Sequence, residues 1–288
     1  MNRELILFSD LDGTLLDHND YSFAAAIEAI TRLNVLNIPW ILNSSKTLSE
    51  LISLRLQLGQ KHPVIVENGA GVAIPVGYTH PLWSGIAAGL TEQDGFLLHS
   101  SGLPRSAILQ TLAVLKTEYE FTGFADMSVS ELCALTGLHT AGAEMAMQRH
   151  FSEPLLWQDS EQQFEQFRMQ LQIMGLSLLR GGRFIHVMGN ADKGRAMQWL
   201  LAGYSNVDSL PVSVALGDSH NDLAMLKQAD IAVIVRSPVH GPPPLQGHTD
   251  LRLTDAVGPA GWNSSVLEII RDNSRADKPG FDTGRGDK

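Results

Sequence analysis

The 288-residue sequence predicts an α/β protein, a doubly wound parallel sheet interrupted by an inserted α+β module. Three observations carry this. The continuous apolar run at residues 5–8 reads as a strand buried on both faces, as in a parallel sheet, and residues 64–66 and 212–216 read as further strands. Helical patterns alternate with such runs in the first third of the chain and again after residue 188. In between, over residues 84–188, the alternation stops and helical patterns cluster around a glycine-linked hairpin. The length agrees, since one core seldom grows past roughly 250–300 residues.

The elements follow in order. The first strand, residues 5–8, runs straight into Asp10-Leu11-Asp12. A helix is expected from residue 22, with Phe23, Ile27, Ile30 and Leu33 near a 3–4 spacing. The strand Trp40-Ile41-Leu42 ends at Asn43-Ser44-Ser45-Lys46, a helix covers 49–58, and Val64-Ile65-Val66 ends in Glu67-Asn68-Gly69. Glycine-rich text between Gly85 and Gly95 opens the module, whose helices are expected over 106–119, 129–135 and 141–150. Ser160-Glu161-Gln162-Gln163 has the form of a capping box for a helix through Phe164, Phe167 and Leu171. Residues 176–179 and 184–188 flank Gly181-Gly182, a two-residue loop suited to a hairpin. Alternation resumes with a helix near Asp192-Lys193-Gly194, a strand over 212–216, a helix over 221–229 and a strand over 231–235. A four-proline loop at 237–247 precedes a closing helix over 262–270. The expected organisation is a core of residues 1–83 and 189–271, a cap of 84–188, and a charged, glycine-containing tail at 272–288 expected to be disordered.

Acidic residues outnumber basic ones 31 to 21, for a net charge of −10, which argues against the basic stripe that nucleic acid requires. Cys133 is the only cysteine, so an internal disulfide is excluded. No window approaches the ~18 apolar residues of a membrane span, and the first residues lack the long apolar core of a signal peptide. A cytoplasmic protein with neither nucleic acid nor membrane as partner is expected. The charge leaves a small anionic ligand open, and oligomeric state is not legible.

Three polar clusters fall at the carboxyl ends of expected parallel strands, the edge where open α/β sheets bind ligands. Asp10-Leu11-Asp12-Gly13-Thr14 leaves the first strand with two carboxylates at i and i+2, pointing the same way. Such a pair repels unless a cation or shared proton intervenes, which suits a metal with a nucleophile and proton donor beside it. Taken alone, a D-x-D more often simply ends a strand. Gly217-Asp218-Ser219-His220-Asn221-Asp222 follows the 212–216 strand, with Asp218 at its tip and Asp222 one helical turn on. Ser44 and Lys193 supply a hydroxyl and an ammonium able to hold the non-bridging oxygens of a phosphoryl group. Each piece alone has a structural reading, but all fall in order along one sheet edge. No G-x-x-x-x-G-K-[ST] loop for nucleotide phosphates is present.

These residues resemble the haloacid dehalogenase superfamily of phosphohydrolases. Asp10-Leu11-Asp12-Gly13-Thr14 matches its D-x-D-G-T signature, Ser44 its second motif, Lys193 its third, and residues 217–222 its G-D-x-x-N-D. The insertion is similar to the α+β, C2-type cap of the Cof-like branch on a Rossmann-like core. A narrower likeness, to the family of mannosyl-3-phosphoglycerate phosphatases, rests on residues 43–47, 66–70, 180–184 and 258–262. The resemblance implies a Mg²⁺-dependent phosphatase in which Asp10 attacks phosphorus and Asp12 acts as acid and then base. It implies Mg²⁺ held by Asp10, the Asp12 backbone carbonyl and Asp218, with Asp222 orienting a metal-bound water or positioning Lys193, and Asn221 nearby. The product is then mannosylglycerate, a compatible solute. Glucosyl-3-phosphoglycerate, a hexose phosphate or a phosphomutase reaction are the alternatives. A phosphoryl-accepting signalling domain needs neither the cap nor a second acid at Asp12. For the sugar-glycerate substrate, Ser45, Lys46, Glu67, Asn68, Arg180, Arg183 and His186 are the candidate contacts. One of the two arginines, expected to face each other across the hairpin, is to grip the glycerate carboxylate bidentately. Lys46, Lys193, Arg180 and Arg183 are then expected to make one electropositive pocket.

Overall fold

A computed structural model describes residues 4–86, 89–181, 183–204 and 210–275. Strand β1 (Leu5–Ser9) is fully buried, and its continuous apolar run has a direct cause. Leu5 and Leu7 pack on one face of the sheet with helix α1 (Ile27–Val35), α2 (Leu48–Leu58) and α9 (Gly258–Arg275). Ile6 and Phe8 pack on the other with α7 (Lys193–Ala202) and α8 (Leu223–Gln228). Strands β2 (Trp40–Asn43) and β3 (Val64–Val66) extend the sheet on one side of β1. On the other side lie β11 (Val212–Gly217), β12 (Ile231–Arg236) and β13 (Leu251–Val257). All six strands are parallel, and five of them are strands the sequence predicts.

The far edge differs from the expectation. Strand β4 (Gly71–Pro75) and the hairpin β5 (Thr91–Gln93) with β6 (Phe96–Ser100) continue the same sheet antiparallel, giving nine strands in the order β13-β12-β11-β1-β2-β3-β4-β6-β5. Residues 91–100, expected within the inserted module, thus belong to the large sheet. The physical reason is that β4 offers β6 a free edge and a full five-pair antiparallel register. Strand β13 was also not anticipated: its outer face is exposed, so it lacks the buried apolar signature of its neighbours.

The separate module has a four-stranded antiparallel sheet, β7 (Phe121–Gly123), β8 (Ser152–Trp157), β10 (Ile185–Met188) and β9 (Ser177–Arg180) in that order. Helices α3 (Arg105–Leu115) and α6 (Glu161–Ile173) pack their apolar residues with it around Phe167 and Leu155. Helices α4 (Val129–Thr136) and α5 (Thr140–Met147) form a second apolar cluster, to which Cys133 contributes. Ser160 caps α6 by accepting from the Gln163 amide. The β9–β10 turn is longer than the expected two residues: Arg180 pairs with Ile185, so residues 181–184 form the loop, with Gly182 outside the described residues. Helix α9 runs to Arg275, so the first four residues of the expected tail are helical, and 276–288 lie outside the described residues.

Candidate active site

Register gathers the polar clusters. Ser9 pairs with Leu42 on one side and Leu216 on the other, so Asp10, Ser44 and Asp218 leave neighbouring strand tips. The buried Lys193, first residue of α7, sends its ammonium 2.5 Å from Asp10 Oδ1 and 2.7 Å from Asp222 Oδ1. Although burial opposes its charge, the two carboxylates hold that ammonium above its usual range. Asp222 uses its other oxygen, Oδ2, to accept from the amides of Asp218 (3.1 Å) and Ser219 (3.0 Å). Asp222 Oδ1 thus contacts the Lys193 ammonium, as one of its two expected roles requires. Asp10, Asp218 and Asp222 each bring one oxygen within 4.8 Å of the others.

An acidic cluster of this kind is unfavourable by itself. Burial first, with Asp222 and Asp218 adding and Lys193 pulling the other way, pushes the Asp10 carboxyl up to about 8. Burial and Asp222 likewise raise Asp218, against the pull of His240. A cation in the cluster reverses the sign of these effects, and an all-oxygen donor set suits a hard divalent ion. Gly13, at φ +82°, keeps space there: a Cβ would lie 2.7 Å from Asp218 Oδ2.

These shifts set a stability experiment. His62 and His186, which burial holds at about 3, and His99, which burial also lowers, are largely neutral in folded and unfolded chains only above about pH 7.5. There the acidic cluster dominates. A carboxyl raised in the folded state stabilises fully below its unfolded value of 3.8 and loses that contribution as pH rises through about 8. Chelator-treated protein is expected to melt at falling temperature from about pH 7.5 to 8.5, with a divalent cation flattening the slope. A constant or rising melting temperature over that window contradicts the assignment. Below about pH 7 the depressed histidines His62, His99 and His186 act oppositely, and their contribution falls with falling pH.

Asp12 sits half exposed, its Oδ1 2.9 Å from the Lys46 ammonium. Burial disfavours the charge on Lys46, but Asp12 and Glu50 outweigh it and hold the ammonium above its ordinary range. Lys46 also lies over the Tyr21 ring, 5.3 Å from its centroid. The loop carrying Ser44, Ser45 and Lys46 is fixed through three consecutive carbonyls. Asn68 N donates to Ser44 O (2.8 Å), Arg149 to Ser45 O (2.7 Å), and Glu67 N to Lys46 O (2.9 Å). Two of these donors sit on a left-handed run, Glu67 (φ 49°), Asn68 (φ 59°) and Gly69 (φ 90°). Such backbone is unfavourable for non-glycine residues. At Gly69 only glycine fits, because a Cβ would meet the Asp192–Lys193 peptide. Asn43 Nδ2 accordingly reaches Lys193 O at 3.1 Å.

The remaining expected ligand residues divide. Glu67 turns away from the open edge: its carboxylate accepts from His150 N (2.8 Å), Phe151 N (3.1 Å) and Ser152 Oγ (2.6 Å) in the cap. Arg180 is directed elsewhere, to Glu161 at 2.9 Å and over the Phe164 ring, because α6 packs beside β9. It does not face Arg183, which is exposed in the longer loop. The expected electropositive pocket therefore lacks Arg180. Among the described residues Asn68 Nδ2 and His186 Nδ1 are buried without a protein partner, whereas buried polar atoms ordinarily find one.

Three contributions escaped the sequence. Arg149 had no periodic or motif signal. His240, from the proline loop, reaches Asp218 Oδ2 at 3.3 Å. Trp262 Nε1 donates to Ser9 Oγ (2.8 Å), which donates to Asp10 O (2.7 Å), tying the closing helix to the first strand.

A family model of haloacid dehalogenase-like hydrolases matches residues 7–80 and 157–240. A glucosyl-3-phosphoglycerate/mannosyl-3-phosphoglycerate phosphatase of Persephonella marina is 33% identical over 278 residues, spanning 94% of this chain and 99% of that one. One of the same description from Methanococcoides burtonii is 34% identical over 271 residues, spanning 93% and 98%. Among solved structures, a Thermoplasma acidophilum protein shares the fold with a TM-score of 0.64 at 17% identity, covering 95% of this chain and 99% of its own.

Proposed function

Because the chain belongs to the haloacid dehalogenase-like hydrolases and is a phosphoric monoester hydrolase, we propose that it hydrolyses mannosyl-3-phosphoglycerate to mannosylglycerate and phosphate. The observation that carries the catalytic part is the buried Lys193 ammonium held between Asp10 and Asp222 at the tip of β1, with Asp12 on the open side.

The Asp10 carboxylate attacks phosphorus and forms an aspartyl phosphate. Asp12 gives its proton to the departing alkoxide, then takes one from the water that cleaves the acyl phosphate. Lys193 and Ser44 offset charge on the non-bridging oxygens. Asp222 holds Lys193 in place, and the Trp262–Ser9 relay fixes the backbone from which Asp10 projects. Mg²⁺, when held by Asp10, the Asp12 carbonyl and Asp218, supplies positive charge to the nucleophile and the phosphoryl group.

The sugar-glycerate substrate is read from the cap side. Arg183, exposed on the hairpin loop, takes the glycerate carboxylate, with Ser45 and Lys46 on the core side. The unpartnered Asn68 Nδ2 and His186 Nδ1 support a ligand that completes their hydrogen bonding. The names of the two relatives favour glucosyl-3-phosphoglycerate as a second substrate.

Phosphate release from mannosyl- and glucosyl-3-phosphoglycerate and from a simple hexose phosphate, with and without Mg²⁺, tests the reading. The expected result is Mg²⁺-dependent release with kcat/KM at least about tenfold higher for the glycerate esters, a factor matching one charged contact. Equal rates on all three remove the glycerate assignment.

A further inference from the structure

We propose that Arg149 is a positioning residue for phosphoryl transfer, acting through the Ser44–Lys46 loop. It lies in the cap, between α5 and β8, and only 8% of its surface is exposed. Its guanidinium crosses to the catalytic core and donates to the Ser45 carbonyl at 2.7 Å. Its Nε donates to Ser152 Oγ at 3.0 Å, and Ser152 donates in turn to Glu67 Oε2 at 2.6 Å. Glu67 closes the circuit, its amide donating to Lys46 O at 2.9 Å. The buried Arg149 guanidinium and the backbone amide of Glu67 thus hold adjacent carbonyls of the loop that carries Ser44, with the Glu67 carboxylate linked back to Arg149 through Ser152.

The arrangement exceeds what cap docking requires. Elsewhere α5 and its C-terminal end meet α2 through Thr47 Oγ1 to Met145 O (2.9 Å) and Ser49 Oγ to Gln148 Oε1 (2.7 Å), contacts that attach the cap to α2. Arg149 instead spends a charged donor on a neutral carbonyl one residue from Ser44. A planar guanidinium bonding two acceptors fixes direction as well as distance, and small displacements of a positioning group are costly to phosphoryl transfer. Because the donor belongs to the cap and the acceptor to the core, seating the cap and ordering the phosphoryl-binding hydroxyl become one event.

The proposal rests on the reading of Ser44 as a phosphoryl-binding hydroxyl, and a double-mutant cycle separates the two. Full-length wild type, Arg149→Met, Ser44→Ala and the double variant are assayed with Mg²⁺ on para-nitrophenyl phosphate, with melting temperatures alongside. Ser44→Ala is expected to lower kcat by about 100-fold, as loss of one charge-stabilising donor does. Arg149→Met is expected to lower kcat by at least about tenfold, with KM changing less. The double variant is expected to match Ser44→Ala rather than multiply the two losses, since residues acting as a unit are non-additive. Arg149→Lys keeps a cation for Ser45 but not the fork, and is expected to recover part of the kcat loss. A full multiplication in the double variant, or an Arg149→Met enzyme within twofold of wild type, overturns the proposal. An inert Ser44→Ala overturns instead the reading of Ser44. If Arg149→Met fails to fold, Arg149→Lys carries the cycle, with the same non-additivity expected and full multiplication again overturning the proposal.

Discussion

Asp10→Asn is expected to abolish turnover on every phosphomonoester, by on the order of 10⁴-fold or more, because the amide keeps the shape of the carboxylate but not its nucleophilicity. The substitution suits the site sterically: an amide oxygen still accepts from the Lys193 ammonium, 2.5 Å away in the native pairing. It also removes the group whose burial beside Asp222 is most unfavourable. The variant is therefore expected to fold, and to lose much of the decline in metal-free melting temperature between about pH 7.5 and 8.5. Phosphate release measured beside melting temperature distinguishes loss of chemistry from loss of structure. A folded variant retaining more than about one hundredth of wild-type kcat is incompatible with covalent catalysis by Asp10, since no neighbouring acid replaces a nucleophile that well.

The largest expected stability change lies away from the reacting atoms, at Glu67. Its fully buried carboxylate accepts from two backbone amides and the Ser152 hydroxyl, with Arg149 Nε 3.6 Å away. Alanine there leaves two amides unsatisfied and a buried guanidinium without its counter-charge. Breaking one side of a buried ion pair costs about 3–5 kcal/mol, which for a chain of this size is on the order of 10 °C in melting temperature. Glutamine keeps the length and one acceptor, and is expected to recover roughly half of that loss, since one partly kept hydrogen-bond set is worth about 1–3 kcal/mol. Thermal melts of both variants decide this. A Glu67→Ala protein that melts within about 2 °C of wild type, under 1 kcal/mol on the same scale, contradicts a structural role and returns Glu67 to the ligand contacts.

The sequence made the catalytic edge legible because its signals are local. Asp10 and Asp12 sit two residues apart after a doubly buried strand, and Asp218 and Asp222 follow another. A parallel sheet then aligns such strand ends without further information. What stayed hidden was set by distant partners. Arg180 is drawn to Glu161 on a neighbouring helix, a pairing no hairpin pattern reveals. Glu67 seemed a strand-end ligand, yet its acceptors' donors lie on residues 150–152. Arg149 and Trp262 act through single long-range hydrogen bonds. The β5–β6 hairpin is short and partly polar, so only its pairing with β4 shows that it belongs to the large sheet.

The central place of β1 has a consequence for how the protein comes into being. One flank of the strand pairs through Leu5 with Val212, and Ser9 takes its hydrogen bond from Trp262, so both contacts join segments far apart in sequence. Such sequence separation raises contact order and slows folding. The surroundings of Asp10 are therefore completed only once segments distant in sequence have docked. Until those distant segments dock, the apolar edges of β1 stay uncovered, the kind of surface that invites aggregation.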